Sequence, residues 1–324
     1  MAKLTADAVR GIWAALPLSW DDRDRLDEDV YRANAERIAR AGVHGVYTTG
    51  STGEFYALDL AEFRRMVDIV DEVCGRLGVP LQIGCSAAAT RETLALAEYA
   101  ASRPHVGGLQ IALPFWMELE DREVLAFFRD VTRAVPHASL IHYNVPRAKR
   151  FLLGPDYVRV REAAPGLVGV KFTMAGTNFD SLQAAVRMNP GISFLVGENL
   201  LAAGMLVGAR GSCSSMVFTD PSFMISFYEK AAAGRWEEAM AMQSVVSRFY
   251  EELFPFVTGR GEGLIDPVFD KGLAIASGCL AGSPRTRAPY LGWSDATVAA
   301  VRSWLRERYP QFLHPDVRGN ARGD

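Results

Sequence analysis

Lys171 ends the run Gly166-Leu167-Val168-Gly169-Val170-Lys171-Phe172-Thr173, so an apolar strand pattern closes on an ammonium group. Burying that charge unpaired is expensive. The side chain therefore either snorkels to water or sits in a pocket as an amine of depressed pKa, and such an amine attacks carbonyl compounds. An ordinary lysine, near pKa ~10.4, is neutral for only about one part in a thousand at neutral pH, so burial and positive neighbours are expected to lower it. The only lysines are Lys3, Lys149, Lys171, Lys230 and Lys271, which leaves few candidates for a functional amine.

Two further stretches carry groups that could serve such an amine. Thr48-Thr49-Gly50-Ser51-Thr52-Gly53-Glu54 sets glycines around a Ser-Thr pair. It reads as an ordinary Gly-rich turn, or as a loop whose N–H and hydroxyl groups converge on a small anion such as a carboxylate. Tyr143-Asn144-Val145-Pro146 offers a phenol that packs at a strand end or passes a proton to and from a substrate oxygen.

Short apolar strands alternating with helical patterns would position these groups. Strands are expected at 11–18, 43–49, 79–85, 106–113, 138–143, 167–172, 192–196 and 211–215. Helices are expected at 28–41 (stopped by Gly42), 59–74 (ending at Gly75), 90–102 (capped by Thr90), 121–135, 155–163, 179–188 and 199–207. Strict alternation implies a parallel sheet covered by helices. With no phosphate-binding glycine motif after any strand, the expectation is a closed (β/α)8 TIM barrel, residues 1–230. Residues 231–324 are expected to form a helical C-terminal appendage packed on the barrel, with a loose polar tail from His314. Active sites of such barrels lie at the C-terminal strand ends, where Lys171, Tyr143 and the Ser51 loop all fall.

Nearly half of the 324 residues are apolar and the formal net charge is −3 without a basic block, which gives nucleic-acid or membrane partners no support. Cys74, Cys85, Cys213 and Cys279 form no C-x-x-C pair, which argues against a disulfide framework or structural zinc. The N-terminus has no apolar signal core and no segment is fit to span a bilayer, so a cytoplasmic location is expected. His44, His105, His137, His142 and His314 are scattered, no metal-spaced cluster is present, and neither metal nor organic cofactor is expected. His142 should point to the sheet face opposite Tyr143.

Gly-Ser-Thr-Gly-Glu, then Tyr-Asn-x-Pro about 90 residues on, then Gly-x-Lys about 25 further, resembles the dihydrodipicolinate synthase / N-acetylneuraminate lyase family over residues 8 to about 290. The resemblance implies a class I aldolase barrel, usually a homotetramer or homodimer, forming a Schiff base with pyruvate or another 2-oxo acid. Carried over, Lys171 is the Schiff-base lysine and Tyr143 the proton shuttle. Ser51 relays to Tyr143, and with Thr52 and Gly53 its loop holds the 2-oxo acid's carboxylate. Gly197 and Ser215 line the pocket.

Departures bear on the subtype. The arginine that grips a second carboxylate in dihydrodipicolinate synthases is replaced by Ala148, between Arg147 and Lys149. The tyrosine that reaches a neighbouring subunit is absent from Pro114-Phe115-Trp116. Trp116 instead resembles the hydratase-aldolases that cleave arylidene pyruvates, while Thr173 resembles the neuraminate lyase branch, where it contacts substrate. The implied activity is a lyase joining or cleaving a 2-oxo acid and an aldehyde. A dehydratase of 2-oxo-3-deoxy sugar acids and a non-catalytic 2-oxo acid binder are the rivals.

Overall fold

The computed structural model describes residues 3–173 and 179–318. Eight parallel strands close into a barrel in chain order: β1 Gly11–Ala15, β2 Gly45–Thr48, β3 Leu81–Gly84, β4 Gly108–Ile111, β5 Leu140–Asn144, β6 Leu167–Phe172, β7 Ser193–Val196 and β8 Gly211–Ser214. The (β/α)8 expectation is met. Helices cover it: α1 Glu28–Arg40, α2 Leu60–Leu77, α3 Thr90–Ala101, α4 Asp121–Ala134, α5 Gly154–Ala163, α6 Phe179–Met188, α7 Leu201–Leu206 and α8 Pro221–Ala232. Four more follow: α9 Trp236–Thr258, α10 Asp266–Ser277, α11 Asp295–Arg308 and α12 Pro315–Arg318.

Strands are shorter than their apolar runs because flanking residues such as Val43 and Leu113 stay buried without joining the ladder. Three local expectations are corrected. The second helix runs past Gly75 to Leu77, and Gly78, in the left-handed region at φ 70°, is its C-cap. Gly75 is instead pressed against His105, where an added Cβ would lie 2.2 Å from the nearest ring atom. Ala89, not Thr90, occupies the N-cap of α3. The stretch from His314 to Arg318 is not loose: His314 N donates to Ser277 O, and Val317 lies over Gly278. Residues 319–324 of that tail lie outside the described residues.

Helix starts follow local chemistry. Asp59 accepts from Glu62 N while Glu62 accepts from Asp59 N, a reciprocal cap for α2. The helix α10 begins with Pro267 in its first turn and ends at Gly278 with φ 79°. It is buried along most of its length, against the C-terminal mouth of the barrel. No helix among the described residues is long and apolar enough to cross a membrane.

Candidate active site

Strand pleating decides which side chains enter the barrel. Tyr143 on β5 pairs in register with Lys171 on β6, so both point to the same side. His142 points the other way, with Nδ1 2.8 Å from the Tyr157 hydroxyl and its ring against Phe128. Burial pushes the His142 imidazole down to about 3, keeping it neutral. Lys171 Nζ lies 4.1 Å from the centre of the Tyr143 ring and donates to the Tyr47 hydroxyl at 3.1 Å.

The Lys171 neighbourhood differs from expectation in sign. Burial draws the ammonium's pKa down, but Tyr143, Tyr47 and Cys213 outweigh burial and hold it well above the usual lysine value. The positive neighbours expected to depress it are not among the groups acting on it. Burial in turn raises the Tyr47 phenol well above its ordinary range, and the nearby Lys171 charge only partly offsets this.

The loop after β2 is folded tightly over the strand ends. Thr49 and Glu54 both adopt left-handed backbone, at φ 53° and 47°, a strain of about 1–3 kcal/mol each. Both are held by side-chain bonds. Thr49 Oγ1 donates to Gly84 O at 2.7 Å, and buried Glu54 accepts from Lys271 Nζ, Trp20 Nε1 and Arg287 N. Gly53 is required here, because a Cβ would lie 2.4 Å from Thr49 N.

This fold brings Ser51 Oγ to 3.1 Å from the Tyr143 hydroxyl and within 3.2 Å of the donating Arg147 Nη1. Arg147 also makes a two-pronged pair with Asp266 on α10, at 2.6 and 3.0 Å. Lys149 turns away and donates to the Trp116 carbonyl. Arg147 therefore reaches the site and Lys149 does not, but the Arg147 charge is already met by a carboxylate.

Thr52 is buried, with Oγ1 2.5 Å from Asp270 Oδ2. Ser215, just after β8, also acts on this carboxyl, its hydroxyl drawing the pKa down. Gly197, just after β7, lies against Asn199, whose Oδ1 would be 2.8 Å from a Cβ there. Glu198 beside it accepts from the Tyr250 hydroxyl at 2.6 Å and from Met216 N. Thr173 follows β6 and its N–H donates to Asn144 O. Residues 174–178 beyond it lie outside the described residues.

Above Tyr143 and Ser51 opens a cavity of about 250 Å³ lined by Phe55, Tyr56, Phe115, Val145, Ile265 and Tyr290, among others. Trp116 is not part of it. It is 77% exposed on the loop between β4 and α4, and its neighbour Phe115 takes the inward place, packing edge-on to Phe55. Trp116, expected to bind substrate, does not line this cavity within the single chain. A loop residue's direction is set by packing, not by a strand period.

Sequence reasoning passed over Tyr47, Asp266 and Asp270. Tyr47 was detectable, since it lies four residues before Ser51 on an expected strand. Asp266 and Asp270 are four apart on a helix and so share a face, but nothing local says which part of the barrel that face covers.

The family model of the dihydrodipicolinate synthetase family matches residues 8–259. This chain belongs to that family. An uncharacterised DapA-like lyase of Halobacterium salinarum is 33% identical over 305 residues, covering 92% of this chain and 94% of the relative. An N-acetylneuraminate lyase of Rhizobium meliloti is 28% identical, covering 91% of this chain and 93% of its own. The crystal structure of YagE from E. coli K12, a family member in complex with pyruvate, superposes with a TM-score of 0.82 at 18% identity, over 92% of this chain and 98% of that one. These relatives share the barrel, and the family's named members include lyases, which supports a lyase activity here.

Proposed function

We propose that this protein is a Schiff-base lyase that joins or cleaves a 2-oxo acid and an aldehyde of apolar or aromatic body. The observation that carries the reading is the in-register pair of Lys171 and Tyr143, with Ser51 3.1 Å from the phenol and both Tyr143 and Ser51 lining an aromatic-walled cavity.

Lys171 attacks the C2 carbonyl, and loss of water gives an iminium that accepts electrons. Tyr143 takes the proton of the C4 hydroxyl and the C3–C4 bond breaks, leaving the enamine of pyruvate and a free aldehyde. The loop of Ser51, Thr52 and Gly53, with Ser215 and Gly197 across the mouth, holds the 2-oxo acid's carboxylate and fixes the plane of the iminium. The attack requires the free amine, so adduct formation accelerates as pH rises toward the elevated Lys171 pKa.

The aldehyde class follows from the cavity wall. Phe55, Phe115, Tyr290, Val145 and Ile265 line the cavity with ring faces and methyl groups, and its polar side chains are those of Ser51, Tyr56, Tyr143, Arg147 and Tyr290. The Tyr56 hydroxyl is buried there with no hydrogen-bond partner among the described residues, which suits one polar substituent on an otherwise apolar substrate. With Arg147 paired to Asp266, a second substrate carboxylate finds no unmatched positive charge.

Borohydride reduction in the presence of pyruvate, followed by peptide mass spectrometry, tests the reading. The expected result is a reduced carboxyethyl adduct on Lys171, absent from Lys171→Ala. Aromatic aldehydes should then condense with pyruvate better than sugars. An unmodified Lys171 with pyruvate and with longer 2-oxo acids would sink the proposal.

A further inference from the structure

Asp270 belongs to α10, outside the strand ends, yet its carboxyl enters the carboxylate-binding loop. It is buried and lies 2.5 Å from Thr52 Oγ1, with the Ser215 hydroxyl, just after β8, also acting on it. It has no cation of its own among these contacts. Arg147 is committed to Asp266 one turn earlier, and Lys271 next in sequence turns to Glu54. The ionisable groups around it are Asp266 from α10, Glu198 from beyond β7 and Tyr250 from α9, and the positive charges of Arg147 and Lys171 act on the neighbouring Asp266. Burial, then Asp266, push its pKa up to about 8, against the opposing hydroxyls of Thr52 and Ser215.

The protonation state of a carboxyl decides which way a bonded hydroxyl points. In the bond as it stands Thr52 Oγ1 donates to Asp270 Oδ2. A neutral Asp270 carries a proton that can reverse this bond, and the Thr52 O–H is then free to donate into the site. An ionised Asp270 only accepts, so the Thr52 O–H turns toward it and a negative charge stands behind the loop.

We propose that Asp270 is a positioning residue whose proton aims the Thr52 hydroxyl at the carboxylate of the bound 2-oxo acid, so that losing this proton releases the substrate. The inference rests on the 2-oxo acid lyase reading and adds to it a residue from outside the barrel strands and a direction of pH dependence. Ionised Asp270 removes one donor and adds repulsion at the same spot. The effect falls on substrate affinity rather than on the chemistry at Lys171.

The test is borohydride trapping over a series of pyruvate concentrations from about pH 6 to about pH 10, in wild type, Asp270→Asn and Thr52→Val. In wild type the half-saturating pyruvate concentration should rise about tenfold per pH unit once Asp270 has ionised. The trapping rate at saturation should keep rising, because Lys171 titrates higher. Asp270→Asn keeps an N–H donor toward Thr52 and cannot ionise, so its half-saturation should stay flat across the range. Thr52→Val, which leaves Asp270 in place, should bind pyruvate more weakly than wild type at about pH 6, by about tenfold. Circular dichroism checks the fold of each variant, and the wild-type and Thr52→Val profiles decide if Asp270→Asn does not fold. Parallel pH profiles of half-saturation in wild type and Asp270→Asn, with adduct on Lys171 in both, would overturn this inference and leave the lyase reading standing. Absence of adduct in every protein would overturn both.

Discussion

The Tyr143 hydroxyl and Ser51 Oγ meet at 3.1 Å although 92 residues separate them, and Arg147 Nη1 donates to the same Ser51 oxygen. The Ser51 hydroxyl gives the Tyr143 phenol a partner for proton relay, and Arg147, which only donates, holds that oxygen in place.

Tyr143→Phe should lower turnover by roughly 10² to 10⁴-fold, the range for loss of a positioned acid–base group. It should still form the Lys171 adduct with pyruvate. Removing the phenol also removes the largest influence that holds the Lys171 ammonium up, leaving burial to draw it down. The alkaline rise in trapping rate should therefore move to lower pH in this variant, a shift that a pH series of initial rates would read directly. An unmoved profile would mean that Tyr143 does not set the lysine's charge.

Arg147 lines the cavity and is paired with Asp266. Burial works to raise the Asp266 carboxyl, but the Arg147 guanidinium outweighs it and holds the carboxyl below its usual range. Asp266→Asn should leave Arg147 with an unmatched charge and raise the kcat/KM ratio of carboxylated to uncharged aldehydes by about tenfold, the effect of ~1.4 kcal/mol. Equal ratios before and after the change would show that Arg147 does not face the substrate.

Glu54 and Lys271 form a pair with both side chains essentially out of solvent, and Glu54 is also the left-handed residue that closes the Ser51 loop. Replacing one partner strands the other charge, so Glu54→Gln should destabilise the fold by about 3–5 kcal/mol. Chemical denaturation would measure it. A loss below ~1 kcal/mol would place the pair with ordinary surface ion pairs.

Stability should carry the mark of Asp270 as well. Its folded pKa, about 8, lies above the ordinary aspartate value near ~3.9. Between those values the native state holds a proton that the unfolded chain has lost. Stability from this group is therefore full below the unfolded value and falls as pH rises toward and through the folded one. Asp270→Asn lacks that fall, so its Tm should gain on wild type as pH increases from about 4 to about 8. Thermal melts of the two proteins at several pH values suffice, and a constant Tm difference would contradict the argument.

Much of the architecture was legible in the sequence. The pleat of β5 alternates faces with period two, so one reading of its apolar run already separates His142 from Tyr143, while the register that sets Tyr143 beside Lys171 comes from the fold. The repeat of strand and helix needs nothing beyond local hydrophobic period to imply a parallel sheet, and closure into a barrel gives it no free edge. The glycines of the Ser51 loop announced a tight turn, and Gly53 does abut Thr49 there.

The electrostatics of the site were decided only by the tertiary structure. The charge state of Lys171 depends on which groups surround it. Tyr47 comes from a strand 124 residues away, and Asp270 reaches Thr52 from 218 residues away. Arg147 could not be assigned until α10 supplied Asp266. Phe115 rather than Trp116 lines the cavity because a loop has no period to fix direction. Periodicity along a strand or helix is a local property of the chain and is written in its residues. A pKa, an ion pair or a cavity wall is a property of a neighbourhood assembled from distant segments, and only the packed fold supplies it.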